Sequence, residues 1–194
     1  MTITIPRTTY GGHINGWLIR DLISLMGDDP DREGLKETPS RVFNSYKELF
    51  SGYQVDIASL FKTFDFDRAD EMIVCRGIEF YSTCEHHLMP FVGVAHVGYI
   101  PQNGKVIGLS KLARLVEAFS RRLQLQERMT TQITDTLNEH LKPLGAGCIV
   151  RARHFCMCAR GVNKQHSEMV TSSMSGVFRE SQAVRQEFLD TLKV

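Results

Sequence analysis

Four consecutive residues, Cys84-Glu85-His86-His87, carry the densest chemistry in the sequence. If they form one helical turn, Cys84 and His87 share a face with Cβ atoms roughly 5–6 Å apart. A thiolate and an imidazole at that separation reach one zinc ion, at about 2.3 and 2.0 Å. A second pairing of the same two residue types lies downstream, in Arg153-His154-Phe155-Cys156-Met157. In a strand over 147–157, residues two apart share a face. Cys156 is then a third ligand, with His154 beside it to do chemistry. Two thiolates and one imidazole leave a fourth tetrahedral position for water, the open geometry of a catalytic zinc. Cys158 lies two residues further on and could close the site as a fourth ligand, which would make it structural. A lone Cys is usually a small buried hydrophobe, but two clusters that each pair Cys with His shift the balance toward a metal.

A second group could hold an anion. Ser110 is expected as the N-cap of a helix, and a helix N-terminus presents free N–H groups to phosphate. Lys111 and Arg114 are three apart on that helix and add two cations on one face. Arg160-Gly161 comes after the second Cys/His pair, whereas Arg121-Arg122 reads as solvated surface. Gln126-Glu127 opens another helix. The helix dipole favours a carboxylate there in any protein, and the same carboxylate could accept two N–H bonds from a guanine edge; spacing does not separate these.

The elements that must position these residues are set by periodicity. Ile14, Leu18, Leu22 and Leu25 recur at helical spacing until Gly27-Asp28-Asp29-Pro30. A second helix is expected from Thr38 as N-cap and Pro39, with a stripe of Val42, Phe43, Tyr46, Leu49 and Phe50. Residues up to about Tyr10 read as an arm, and 65–71 as a polar joint. Strands are expected from Met72 to about Tyr81 and from Phe91 to Ile100, with a tight turn at Asn103-Gly104. Helices over about 111–123 and 127–141 come next, then strands over 147–157 and 168–178 and a short final helix. The division is 1–70 for arm and helices and 71–194 for the catalytic domain, within one structural unit. Strand-strand-helix-helix-strand-strand gives an α+β antiparallel sheet with two helices on one face. Four strands leave two bare edges, and pairing them between copies predicts a ring-like homo-oligomer.

The 194 residues suit one domain and a net charge of +1 presents no basic stripe for nucleic acid. Five irregularly spaced cysteines fit a reducing compartment. No signal peptide and no apolar run of membrane-spanning length is read, so a soluble, cytoplasmic protein with no membrane partner is expected.

Together the segments 81–91, 107–114, 126–128 and 154–162, with 33–39 and 176–178, resemble GTP cyclohydrolase I. The resemblance runs from about Leu18 to the C-terminus. It implies the tunnelling fold (ββααββ), assembled as a homodecamer of two facing pentamers with sites between subunits. It makes Cys84, His87 and Cys156 ligands of Zn2+ and gives His86 and His154 the acid–base roles. Glu127, helped by Gln126, would hold the guanine of GTP, while Ser110, Lys111, Arg114 and Arg160 would receive ribose and triphosphate. The implied reaction opens the imidazole ring of GTP at C8, releases formate and gives 7,8-dihydroneopterin triphosphate, the first step of pterin and folate-type biosynthesis. Two alternatives stand beside it: another tunnelling-fold pterin or deazapurine enzyme, and a non-catalytic module closed around zinc by Cys158.

Overall fold

The computed structural model describes residues 14–66 and 70–193. The N-terminal arm and residues 67–69 of the polar joint lie outside the described residues. Helix α1 (Ile14–Leu25) and helix α2 (Thr38–Leu49) form as their periodicity requires. Thr38, expected as the N-cap, is instead the first helical residue, and Glu37 holds the cap position without a side-chain bond. Proline in the first turn favours this start, because its missing N–H would be unpaired there anyway. These helices pack on each other, yet Leu18, Leu22 and Leu25 stay exposed, and α2 has no buried residue.

A short unanticipated strand, β1 (Thr63–Asp65), ends where the joint begins and pairs antiparallel with β4 (Lys105–Ile107). Between them run β2 (Ile73–Cys84) and β3 (Pro90–Ile100). The Asn103-Gly104 turn is present, with both residues at positive φ. Helix α3 (Leu109–Ser120), strand β5 (Leu123–Gln124) and helix α4 (Gln126–Leu141) come next. The chain ends with β6 (Gly145–His154), the short helix α5 (Phe155–Cys158), β7 (Met169–Gly176), the short helix α6 (Val177–Glu180) and α7 (Gln182–Leu192).

The main sheet has five strands in the order β5-β2-β3-β6-β7, one more than expected, because β5 adds a short parallel pairing at Thr83 and Cys84. Leu112, Leu115, Val116 and Phe119 of α3, and Met129, Ile133, Leu137 and Leu141 of α4, are buried in the main core with Phe80, Phe91 and Val97. A smaller core of Ile149, Met174, Phe178 and Phe188 brings α7 into the packing. The β2–β3 register shifts between Cys75 and Ile78, where Gly77 takes φ +71° and donates its N–H to His96 Nδ1 at 3.2 Å. Residues with a Cβ rarely adopt that φ.

Arg122, expected as solvated surface, is half-buried. Its guanidinium donates to the carbonyls of Ala118 at 2.7 Å and Gly52 at 2.9 Å and lies over the Tyr53 and Phe119 rings. It fastens the segment after α2 to the end of α3. Among the described residues no helix is long and apolar enough to cross a membrane.

Candidate metal and substrate site

Strand β2 runs three residues further than expected, so Cys84 ends a strand rather than opening a helix. The chain then makes a turn: Leu88 N–H donates to Cys84 O at 2.9 Å, and Cys84 N–H donates to Met89 O at 2.8 Å. Leu88 closes it at φ +53°. The turn has the same consequence as a helical one, for Cys84 Sγ lies 3.9 Å from His87 Nδ1. Two ligands of one tetrahedral zinc stand about 3.6 Å apart at ordinary bond lengths. The ligand atoms of Cys84, His86 and His87 all lie within 4.8 Å of one another. A borderline-soft cation suits that donor set.

The strand expected over 147–157 stops at His154. Pairing with β3 ends at Phe91↔His154 and pairing with β7 at Ala152↔Met169, and the unpaired chain winds into α5. Cys156 is therefore a helical residue and does not share a strand face with His154. It lies near Cys84, outside the tight group of Cys84, His86 and His87: burial first, then the neighbouring Cys84 charge, push its thiol pKa up. A divalent cation reverses that balance, because coordination deprotonates a thiol. Cys158 turns elsewhere, its thiol donating to the carbonyls of Lys164 at 3.5 Å and Gln165 at 3.8 Å.

His154 ends β6 with its ring stacked on Phe91, centroids 4.5 Å apart and planes 4° apart. Its Nε2 lies 2.8 Å from Gln126 Oε1. The Gln126 amide cannot turn over, because its Nε2 donates to Val150 O at 3.1 Å, Met169 O at 3.0 Å and Thr171 Oγ1 at 3.1 Å. Thr171 and Thr130 hydroxyls lie 2.6 Å apart, and Thr130 Oγ1 donates to Gln126 O at 2.7 Å, closing the ring of bonds. With an oxygen facing it, His154 Nε2 must carry a proton, and the neutral ring keeps Nδ1 as its free acceptor. Burial pushes the His154 pKa down, and the Glu127 charge opposes this. Gln126, expected beside the guanine edge, is 1% exposed with its side chain fully engaged, so only its backbone is free to serve there. Glu127 is exposed at the first turn of α4.

The anion group divides. Arg160 Nη1 lies 3.5 Å from His87 Nε2, at the cluster. Ser110, Lys111 and Arg114 do not. Ser110 is the second residue of α3, whose N-cap is Gly108 rather than the expected Ser110. The C-terminal end of α3 leads into β5 beside Cys84, so its N-terminus lies about one helix length, roughly 18 Å, away. That end adjoins Tyr99, whose hydroxyl accepts the Ile107 N–H at 3.0 Å and whose partner is Ile73, at the opposite end of β2.

Two contributors escaped the sequence reading. Phe91 meets His154 only through the β3–β6 register. Arg128 bonds Glu85 and the Leu123 carbonyl, and its Nε donates to Gln124 Oε1 at 3.1 Å. The usable signal was Gln126-Glu127-Arg128 itself, since successive helical residues fan out by about 100° and address three different neighbours.

Fold and site together define an α+β protein with a Cys/His cluster suited to a metal, set against the first turn of a central helix. The sequence profile of the GTP cyclohydrolase I family matches residues 17–193, and the chain belongs to that family. It is 51% identical over 176 residues to the GTP cyclohydrolase 1 of Wolinella succinogenes, covering 90% of this chain and 94% of that one. It is 50% identical to that of Leptospira biflexa (91% and 96% covered) and 48% identical to that of Caldanaerobacter subterraneus (88% and 91%). A solved structure of an archaeosine synthase, QueF-Like, superposes with a TM-score of 0.45 at 16% identity, over 54% of this chain and 93% of that one.

Proposed function

We propose that this protein hydrolyses the imidazole ring of GTP at C8, releasing formate and yielding 7,8-dihydroneopterin triphosphate. Family membership supports the activity. The observation that carries the site is the convergence of Cys84, His86 and His87 within 4.8 Å, supported by the Glu127 charge acting on His154. In this reading Cys84, His87 and Cys156 hold Zn2+, and Cys158 stays out because its thiol serves the Lys164 and Gln165 carbonyls. Bound zinc supplies a Lewis acid that activates water near neutral pH.

The chain's own residues do the rest. His154, held by Gln126 and Phe91, exchanges a proton with the purine at N7 through its free Nδ1. His86, in the same cluster, is the second proton carrier. Glu127 accepts the guanine N–H groups, and Arg160 beside His87 meets the phosphates or ribose. Ser110 and Lys111, at the far end of α3, and Arg114, about half a helix length from the near end, are the remaining anion group within one chain. In this reading a neighbouring copy brings them, and the site lies between subunits.

Among the described residues, the edge of β2 beyond its short β5 pairing, the outer edge of β7 and the uncovered apolar residues of α1 and α2 support such an assembly. The reading is a tunnelling fold over 71–194 with 1–70 as arm and helices, built into a decamer of two pentamers in the cytoplasm. Incubation with GTP tests it: formate release and a fluorescent pterin after oxidation are expected. Unchanged GTP, or turnover only of a preformed pterin, would overturn it.

A further inference from the structure

Something must hold the Cys84–His87 turn in its converged shape. The turn's own hydrogen bonds fix its two ends, and Glu85 N–H donates to Gln124 O at 3.1 Å. Arg160 meets His87 at the far end of the turn, and a further hold on it comes from α4. The Arg128 guanidinium spans three acceptors: the Glu85 carboxylate, the Leu123 carbonyl at 3.2 Å and Gln124 Oε1 at 3.1 Å. Gln124 is a firm anchor, 2% exposed, its amide nitrogen donating to Phe119 O at 2.9 Å and Gln132 Oε1 at 2.8 Å. A planar guanidinium holds a fixed angle among its acceptors, which an ammonium does not. Glu85 is flanked in the chain by the cluster residues Cys84 and His86.

We propose that Arg128 is a positioning residue that holds Glu85, keeps the Cys84–His87 turn shaped for its metal and ties that turn to α4. The inference rests on the zinc reading above and assigns the third residue of a division of labour. In the first turn of α4, Gln126 sets His154, Glu127 faces the substrate and Arg128 sets the metal turn. Groups that orient metal-bearing residues typically change metal affinity about 10–100-fold when removed.

The test is zinc affinity, measured by competition with a chromophoric chelator, in the wild type, Arg128→Gln, Glu85→Gln and the double variant. Each single variant is expected to bind zinc about ten-fold more weakly. The double variant is expected to be no weaker than the poorer single, because both remove the same link. The melting midpoint of the metal-free protein is expected to stay put in all four, separating positioning from general stability. Affinities within two-fold of wild type, losses that multiply in the double variant, or a matching fall in the metal-free midpoint would each overturn the clamp. A wild type that takes up no zinc would overturn the zinc reading itself, and this inference with it.

Discussion

Gln126 Oε1 lies 2.8 Å from His154 Nε2, and every other polar atom of that amide is already spoken for. The pairing leaves one basic nitrogen on a histidine at the end of β6. Replacing Gln126 with Leu removes its bonds to the Val150 and Met169 carbonyls and frees the ring. Stability is expected to fall by about 1–3 kcal/mol. Formate release from GTP is expected to fall about ten-fold or more, beyond what the lost folded fraction explains. Urea unfolding and a formate assay check both.

Phe91 holds the other face of the same imidazole and is fully buried. Phe91→Ala is expected to cost about 3–5 kcal/mol, the usual range for emptying a core aromatic site. Phe91→Leu keeps most of the apolar packing and removes the flat ring. It is expected to lower turnover while moving the unfolding midpoint less than the alanine variant does.

Acid should loosen the β2 bulge. Burial, followed by the charges of Arg151 and Arg76, holds the His96 pKa below its ordinary value. Its Nδ1 must be unprotonated to accept the Gly77 N–H. The unfolded chain therefore takes up the proton first, near its ordinary pKa of about 6.5. Stability from this contact is present above that pH and is lost as pH falls through the lower folded value. His96→Ala is expected to flatten the acid side of the stability profile, measured by denaturant unfolding from neutral pH downward.

The two cysteines of α5 should behave differently. Cys156→Ser is expected to lose zinc and formate release together, and Cys158→Ser to keep both, because Cys156 neighbours Cys84 while the Cys158 thiol is engaged by the Lys164 and Gln165 carbonyls. Chelation of the wild type is expected to stop formate release, and added zinc to restore it. A loss of zinc in Cys158→Ser, measured by metal analysis, would favour the closed structural site.

If the anion group comes from a neighbour, two defective chains should repair each other. Lys111→Ala and Glu127→Ala are each expected to be inactive alone. Co-expressed, they should form mixed assemblies in which about a quarter of composite sites are intact. Activity no higher than either parent would place both residues in one chain's site.

Much of this molecule was legible in the one-dimensional pattern because its signals are local. The helices α3 and α4 declare themselves by Leu112, Leu115, Val116 and Phe119 and by Met129, Ile133, Leu137 and Leu141, and all eight are buried. The separation of Cys84 and His87 is likewise set within one turn of chain. Neither reading needed a distant contact.

Long-range pairing decided the rest. Strand β6 gives way to a helix at Phe155 because its partners run out, a fact about β3 and β7 that no residue near 155 encodes. Gln126 faces inward because the Val150 and Met169 carbonyls and the Thr171 hydroxyl accept its amide there. Arg122 is half-buried against Gly52 and the Tyr53 ring, about seventy residues earlier. The distance from Lys111 to the Cys84–His87 turn emerges only once α3 is laid along the sheet. Local spacing thus determined that Cys84 and His87 could share a metal ion and where the central helices run. Which side chains meet was settled by folding alone, because a contact between residues far apart in sequence exists only after the loop between them has closed.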